Sequence, residues 1–209
     1  MSTRPAFRRS SIGGERGADA GAARRGTAAG GRVAAPFSQS QILQLMKSEF
    51  GRARRLGQPL ACVVIRIEGL SRVAELVGGA ARDQIRDVLT DLVREKTRDY
   101  DHLGLVGDDG CLLVLPQTDA EGAKVVAERI RRGFTAVEPA ASLLDRAGAP
   151  QLRTNLSLGI SAAHSSETLF FDTLLAQAEH ARDVASAAGG DRVEVFDRDR
   201  FVGDPRARD

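Results

Sequence analysis

Charged side chains stand at short spacing in two neighbouring stretches, Arg98-Asp99-Tyr100-Asp101 and Gly107-Asp108-Asp109-Gly110, with five residues between Asp101 and Gly107. The first joins a guanidinium fork to a carboxylate three residues on. A fork of that kind meets the O6 and N7 acceptors of guanine, and a carboxylate meets its N1–H and N2–H₂ donors. The same four-residue pattern is also a common surface ion pair of little energetic consequence. In the second stretch two adjacent carboxylates repel one another unless a cation lies between them. His102, His164 and His180 lack metal-ligand spacing, and no nucleophile triad, P-loop or G-x-G-x-x-G occurs, so other enzyme classes lack support.

These groups need elements to position them. Ser38 or Ser40 is a suitable N-cap for a helix through Ile42, Leu43, Leu45, Met46 and Phe50, which Gly57 and Pro59 end. LACVVIRIE (60–68) reads as a strand buried on both faces. Two helices follow, over about 70–77 and 80–96. HLGLV (102–106) and CLLVLP (111–116) flank the GDDG turn as a hairpin. Thr118 is expected to cap a helix reaching about Phe134, and 136–150 is expected to be a loop. NLSLGISA (155–162) alternates as a strand, about 168–187 forms a helix, and RVEVF (192–196) is a last strand. The order predicts an α+β sheet domain.

Length and composition fit one such domain with tails. Of the 209 residues 42 % are hydrophobic, and 30 Lys and Arg nearly balance 28 Asp and Glu, so no nucleic-acid or membrane surface is announced. Seven arginines against Glu15 and Asp19 concentrate positive charge up to Pro36, in a stretch of Gly, Ala, Arg and Ser with few large apolar side chains. Residues 1–36 are therefore expected to be a disordered tail, 37–198 the domain, and 199–209 a second flexible tail. RRSS (8–11) is a weak match to a kinase site. Cys62 and Cys111 lie in apolar runs and are expected to be reduced core residues. No signal peptide or membrane-spanning stretch is seen, and a cytoplasmic location is expected.

The whole order resembles the GGDEF family of diguanylate cyclases over about 38–197. FSQSQ (37–41) matches the start of that domain, RIEGL (66–70) its DxDxF strand end, GDDGC (107–111) its signature turn, and SLGIS (157–161) its S-x-G strand. AEHARDVASAAGGDRV (178–193) matches ADxALYxAKxxGRNRV in spacing without a gap. The resemblance implies a five-stranded, mostly antiparallel sheet wrapped by helices, akin to nucleotidyl cyclase and polymerase palm domains.

It also implies what has changed. The family joins two GTP molecules with metal ions held by carboxylates at the strand end and in the turn. Here those positions are Arg66 and Gly110, with Asp109 alone beside them and Asp108 in place of the second glycine after Gly107. The family's guanine-binding Asn falls on Ala74, its phosphate-binding Lys on Ser186 and the next Arg on Gly190. Its guanine-binding Asp is kept as Asp83. No metal, cofactor or catalytic residue is expected, and Arg66 should fold back onto Asp109 or Asp108. By contrast Arg98 and Asp101 match the family's inhibitory RxxD site in motif and spacing, and the resemblance adds Arg129, in AERIRR, as a third ligand-binding residue. The expected ligand is cyclic di-GMP, with an unidentified protein partner and a ligand-linked dimer as further options. The competing expectations are a docking module that binds no nucleotide and, least supported, a residual cyclase half.

Overall fold

The computed structural model describes residues 35–149, 152–163 and 170–197. The expected tails therefore lie almost wholly outside the described residues, as do RRSS, His164 and the start anticipated for the last helix. The first helix, α1 (Gln39–Leu56), begins with a capping box: the Ser38 hydroxyl accepts from Gln41 N, and the Gln41 side chain accepts from Ser38 N at 2.9 Å. It ends at Gly57, whose left-handed φ of 65° suits glycine. The Phe37 backbone donates to Leu103 O and accepts from Leu105 N, both at 2.9 Å, and so continues the sheet by one residue.

The strand β1 (Leu60–Glu68) is followed by α2 (Leu70–Val77) and α3 (Gly79–Lys96), then by the hairpin β2 (His102–Val106) and β3 (Gly110–Pro116). Helix α4 (Ala120–Val137), the short α5 (Ala141–Arg146), β4 (Asn155–Ala163), α6 (Phe171–Ala187) and β5 (Arg192–Val195) complete the elements of the described residues. The sheet order is β2-β3-β1-β4-β5, antiparallel except for the β4–β5 pair. This is the α+β, mostly antiparallel sheet that the resemblance implied.

β1 is apolar from Leu60 to Ile65 because it is central and covered on both faces there. Ala61, Val63, Ile65 and Ile67 pack with residues of α2, α3, α4 and α5, while Leu60, Cys62 and Val64 pack with α1 and α6. Cys62 stands opposite Val114, three residues beyond Cys111, and both thiols are free, buried, and pushed by burial up to about 12.

Two local expectations are corrected. Asp119, not Thr118, caps α4: its carboxylate accepts from Gly122 N at 2.8 Å, while the Thr118 hydroxyl donates back to Pro116 O. Within 136–150, α4 runs on to Val137 and α5 adds six helical residues, because burying Leu144 completely organises the segment despite its weak periodicity.

Candidate functional site: a polar cavity between helices α3 and α4

The R-x-x-D stretch folds as a closed turn directly after α3. Asp101 N donates to Arg98 O at 3.0 Å, and Arg98 N donates to Asp101 Oδ2 at 2.8 Å. The carboxylate is thus spent on the backbone of Arg98. Among the described residues no ion pair joins Arg98 to a carboxylate; its Nη1 donates instead to the Tyr100 hydroxyl oxygen at 2.8 Å. The simple surface Arg–Asp pair is therefore not what forms. The other carboxylate oxygen, Asp101 Oδ1, is buried and has no hydrogen-bond partner among the described residues. Burial raises the Asp101 carboxyl above its ordinary value, against the lowering effect of the Arg98 N–H and of the charges on Arg98 and His102.

Arg129 comes to the same place from α4. Arg98, Asp101 and Arg129 line one cavity of about 350 Å³, together with Lys96, Thr118 and an apolar wall of Leu115, Val125 and Val126. Arg129 is exposed and makes no hydrogen bond or ion pair among the described residues. Val125 lies one helical turn before Arg129, so an apolar surface and a guanidinium share one face of α4. The sequence reading missed this wall. The signal was available in Val125, a large apolar residue left exposed outside the core stripe of α4.

At the hairpin turn the chemistry differs. Gly107 has φ 62°, as a turn glycine should, and Asp108 is exposed. Ile67 N donates to Asp109 O at 2.8 Å, which ties the turn to the end of β1. Arg66 and Gly110 face each other in the β1–β3 register, so the two positions expected to carry carboxylates are adjacent and neither has one. Arg66 Nε donates to Asp109 Oδ2 at 3.0 Å, as charge alone had suggested. A guanidinium bound to the Asp109 carboxylate does not fit a divalent cation there. Among the described residues no group of three His, Cys, Asp or Glu is arranged to hold a metal. Glu68, two residues along β1 from Arg66, accepts instead from the Ser157 hydroxyl at 2.7 Å.

The remaining substrate positions come from separate elements. Ala74 lies on α2, Ser186 on α6 and Gly190 in the turn before β5, where a side chain would collide with Asn155. Asp83, on α3, is exposed and paired with Arg82 at 3.1 Å. A second cavity, of about 290 Å³, lies between the end of α4 and α5, and none of the predicted ligand-binding side chains lines it.

A five-stranded α+β domain with a glycine–acid hairpin turn and a guanidinium–carboxylate cavity beside it defines a narrow class. The chain belongs to the family described as "Diguanylate cyclase, GGDEF domain", which it matches over residues 37–192. Among curated proteins it is 26 % identical over 158 residues to the diguanylate cyclase DgcP of Pseudomonas aeruginosa, a match that takes in 76 % of this chain and 22 % of that protein. The matches to the first curated relatives span less than a third of those proteins' length. Among solved structures, the active GGEEF domain of a diguanylate cyclase from Vibrio cholerae superposes with TM-score 0.69 at 23 % identity, covering 78 % of this chain and 98 % of that one. The GGDEF domain of DgcB from Caulobacter crescentus, solved in complex with c-di-GMP, gives 0.67 at 15 % identity, covering 82 % and 98 %. At these identities the structures share the fold. Among the described residues no helix is long and apolar enough to cross a membrane.

Proposed function

We propose that this chain is a cyclic di-GMP receptor that no longer makes the dinucleotide. The observation that carries the reading is the meeting of Arg98, Asp101 and Arg129 in one cavity, with one Asp101 carboxylate oxygen buried and unpartnered among the described residues. Guanine has the complementary edges: acceptors for an arginine fork and donors for Asp101. Micromolar affinity needs about −8 kcal/mol, whereas each bidentate contact discriminates by about 1–3 kcal/mol. Stacking and phosphate contacts must supply the difference, and the apolar wall and Lys96 offer both. That a structural neighbour binds c-di-GMP supports the choice of ligand. In this reading the protein works in the cytoplasm and passes occupancy on to a protein partner or a second copy of itself.

The loss of synthesis rests on the hairpin turn. Metal-assisted phosphoryl transfer needs carboxylates where Arg66 and Gly110 stand, and the Arg66–Asp109 pair places positive charge where a cation would sit. Calorimetric titration with cyclic di-GMP on wild type and Arg98→Ala is the deciding experiment. Micromolar binding in wild type, weakened in the variant, is expected, with GTP far weaker. No heat and no thermal shift at high micromolar ligand sinks the receptor reading and leaves a nucleotide-free docking module in its place.

A further inference from the structure

Tyr100 sits inside the R-x-x-D turn yet does not line the cavity that Arg98 and Asp101 share. It is half exposed, so packing does not explain where its ring lies. Its hydroxyl oxygen accepts from Arg98 Nη1 at 2.8 Å, and its ring centroid is 5.6 Å from the guanidinium carbon, within cation–π range. A guanidinium has five N–H groups, and this contact uses one of them. The Nε/Nη2 edge, the side-by-side pair that can meet O6 and N7, makes no hydrogen bond among the described residues. The partner's chemistry also matters. Arg66 and Arg131 are held by carboxylates, which fix the arginine but also neutralise it. A phenol fixes it and leaves the full positive charge for a ligand. The obvious neutralising neighbour, Asp101, is held off because its Oδ2 accepts the Arg98 backbone N–H.

We propose that Tyr100 is a positioning residue for the dinucleotide, holding the Arg98 guanidinium from outside the cavity with its charge intact and its guanine-facing edge free. The inference rests on the cavity being a cyclic di-GMP site, and it assigns this site a fourth member that acts through Arg98. Without Tyr100, ligand must order a long, mobile side chain at the moment of binding. Tyr100→Phe, which keeps the ring and removes the hydroxyl, should weaken cyclic di-GMP binding by about three- to tenfold, and Tyr100→Ala by more.

The test is calorimetry on the full chain and both variants, with melting temperatures to show that each is folded. Tyrosine emission provides an independent readout, because the chain has one tyrosine and no tryptophan. The wild-type signal should change during titration and saturate with the calorimetric dissociation constant, after inner-filter correction against Arg98→Ala. Unchanged affinity in Tyr100→Phe, or emission that stays flat while wild type saturates, overturns the role of Tyr100 alone. No heat with wild type overturns the site reading and this inference with it.

Discussion

At the scale of single residues, the proposed role of Asp101 sets stability and recognition against each other. Its carboxyl is raised by burial, so it ionises at higher pH in the fold than in the unfolded chain. Ionised Asp101 therefore costs stability at neutral pH, a cost that disappears as pH falls through the acid range and the group protonates. Asp101→Asn keeps the shape and an acceptor for Arg98 N while removing the charge. It should melt roughly 1–3 °C higher than wild type at pH 7, with the gap closing on acidification, yet bind cyclic di-GMP at least about tenfold more weakly. Melting curves and titrations across pH check both signs together. Arg66 carries a second prediction. On the proposed reading, Arg66→Asp with Gly110→Glu should not restore conversion of GTP in the presence of Mg²⁺, because Ala74, Asp108, Ser186 and Gly190 would still disable substrate binding. A Cβ at 110 would also stand 3.0 Å from both Ile65 O and Val106 O, so the turn must give slightly to accept it. Chromatographic detection of cyclic di-GMP above the no-enzyme control would contradict this. Arg98, Asp101 and the Arg66–Asp109 pair were legible in the sequence because motif spacing and charge determine them. Tyr100 was not, since its contact exists only once the turn has closed.

At the scale of elements, the glycine of SLGIS explains how α6 reaches the sheet. A Cβ on Gly159 would fall on the backbone of Ala178 and Arg182, so helix and strand touch main chain to main chain there. Gly159→Ala should force α6 outward and cost about 1–3 kcal/mol or more, seen as a melting temperature several degrees lower. Because α6 covers the face of β1 opposite α3 and α4, dinucleotide affinity should stay within about twofold as long as the variant is folded. A lowered affinity at unchanged stability would show the two faces to be coupled. The strands and long helices were readable from periodicity, and β1 most clearly, because burial on both faces makes its first six residues an unbroken apolar run. Helix α5 was not readable: six residues make less than two turns, too few to display a period. The capping of α4 was ambiguous because Thr118 and Asp119 are both competent caps, and only the hydrogen bonds separate them.

At the scale of the whole molecule, the site and the charged N-terminal stretch are separate in sequence. None of the three side chains of the proposed site, Arg98, Asp101 and Arg129, comes from residues before α1, whereas Phe37 belongs to the sheet. Deleting residues 1–34 should therefore leave cyclic di-GMP affinity unchanged by calorimetry, while deletion through Phe37 should lower the melting temperature by removing two hydrogen bonds from β2. The sheet order has one more consequence, for synthesis. Strand β1 sits in the middle, but its two neighbours are delivered at very different times: β3 soon after it, and β4 only once α4 and α5 have been made. At about 5–20 residues per second, a nascent chain spends seconds with Arg98, Asp101 and Arg129 already translated and one side of its most apolar strand unpaired. A ribosome stalled in that interval would display a bare strand edge able to pair with another chain.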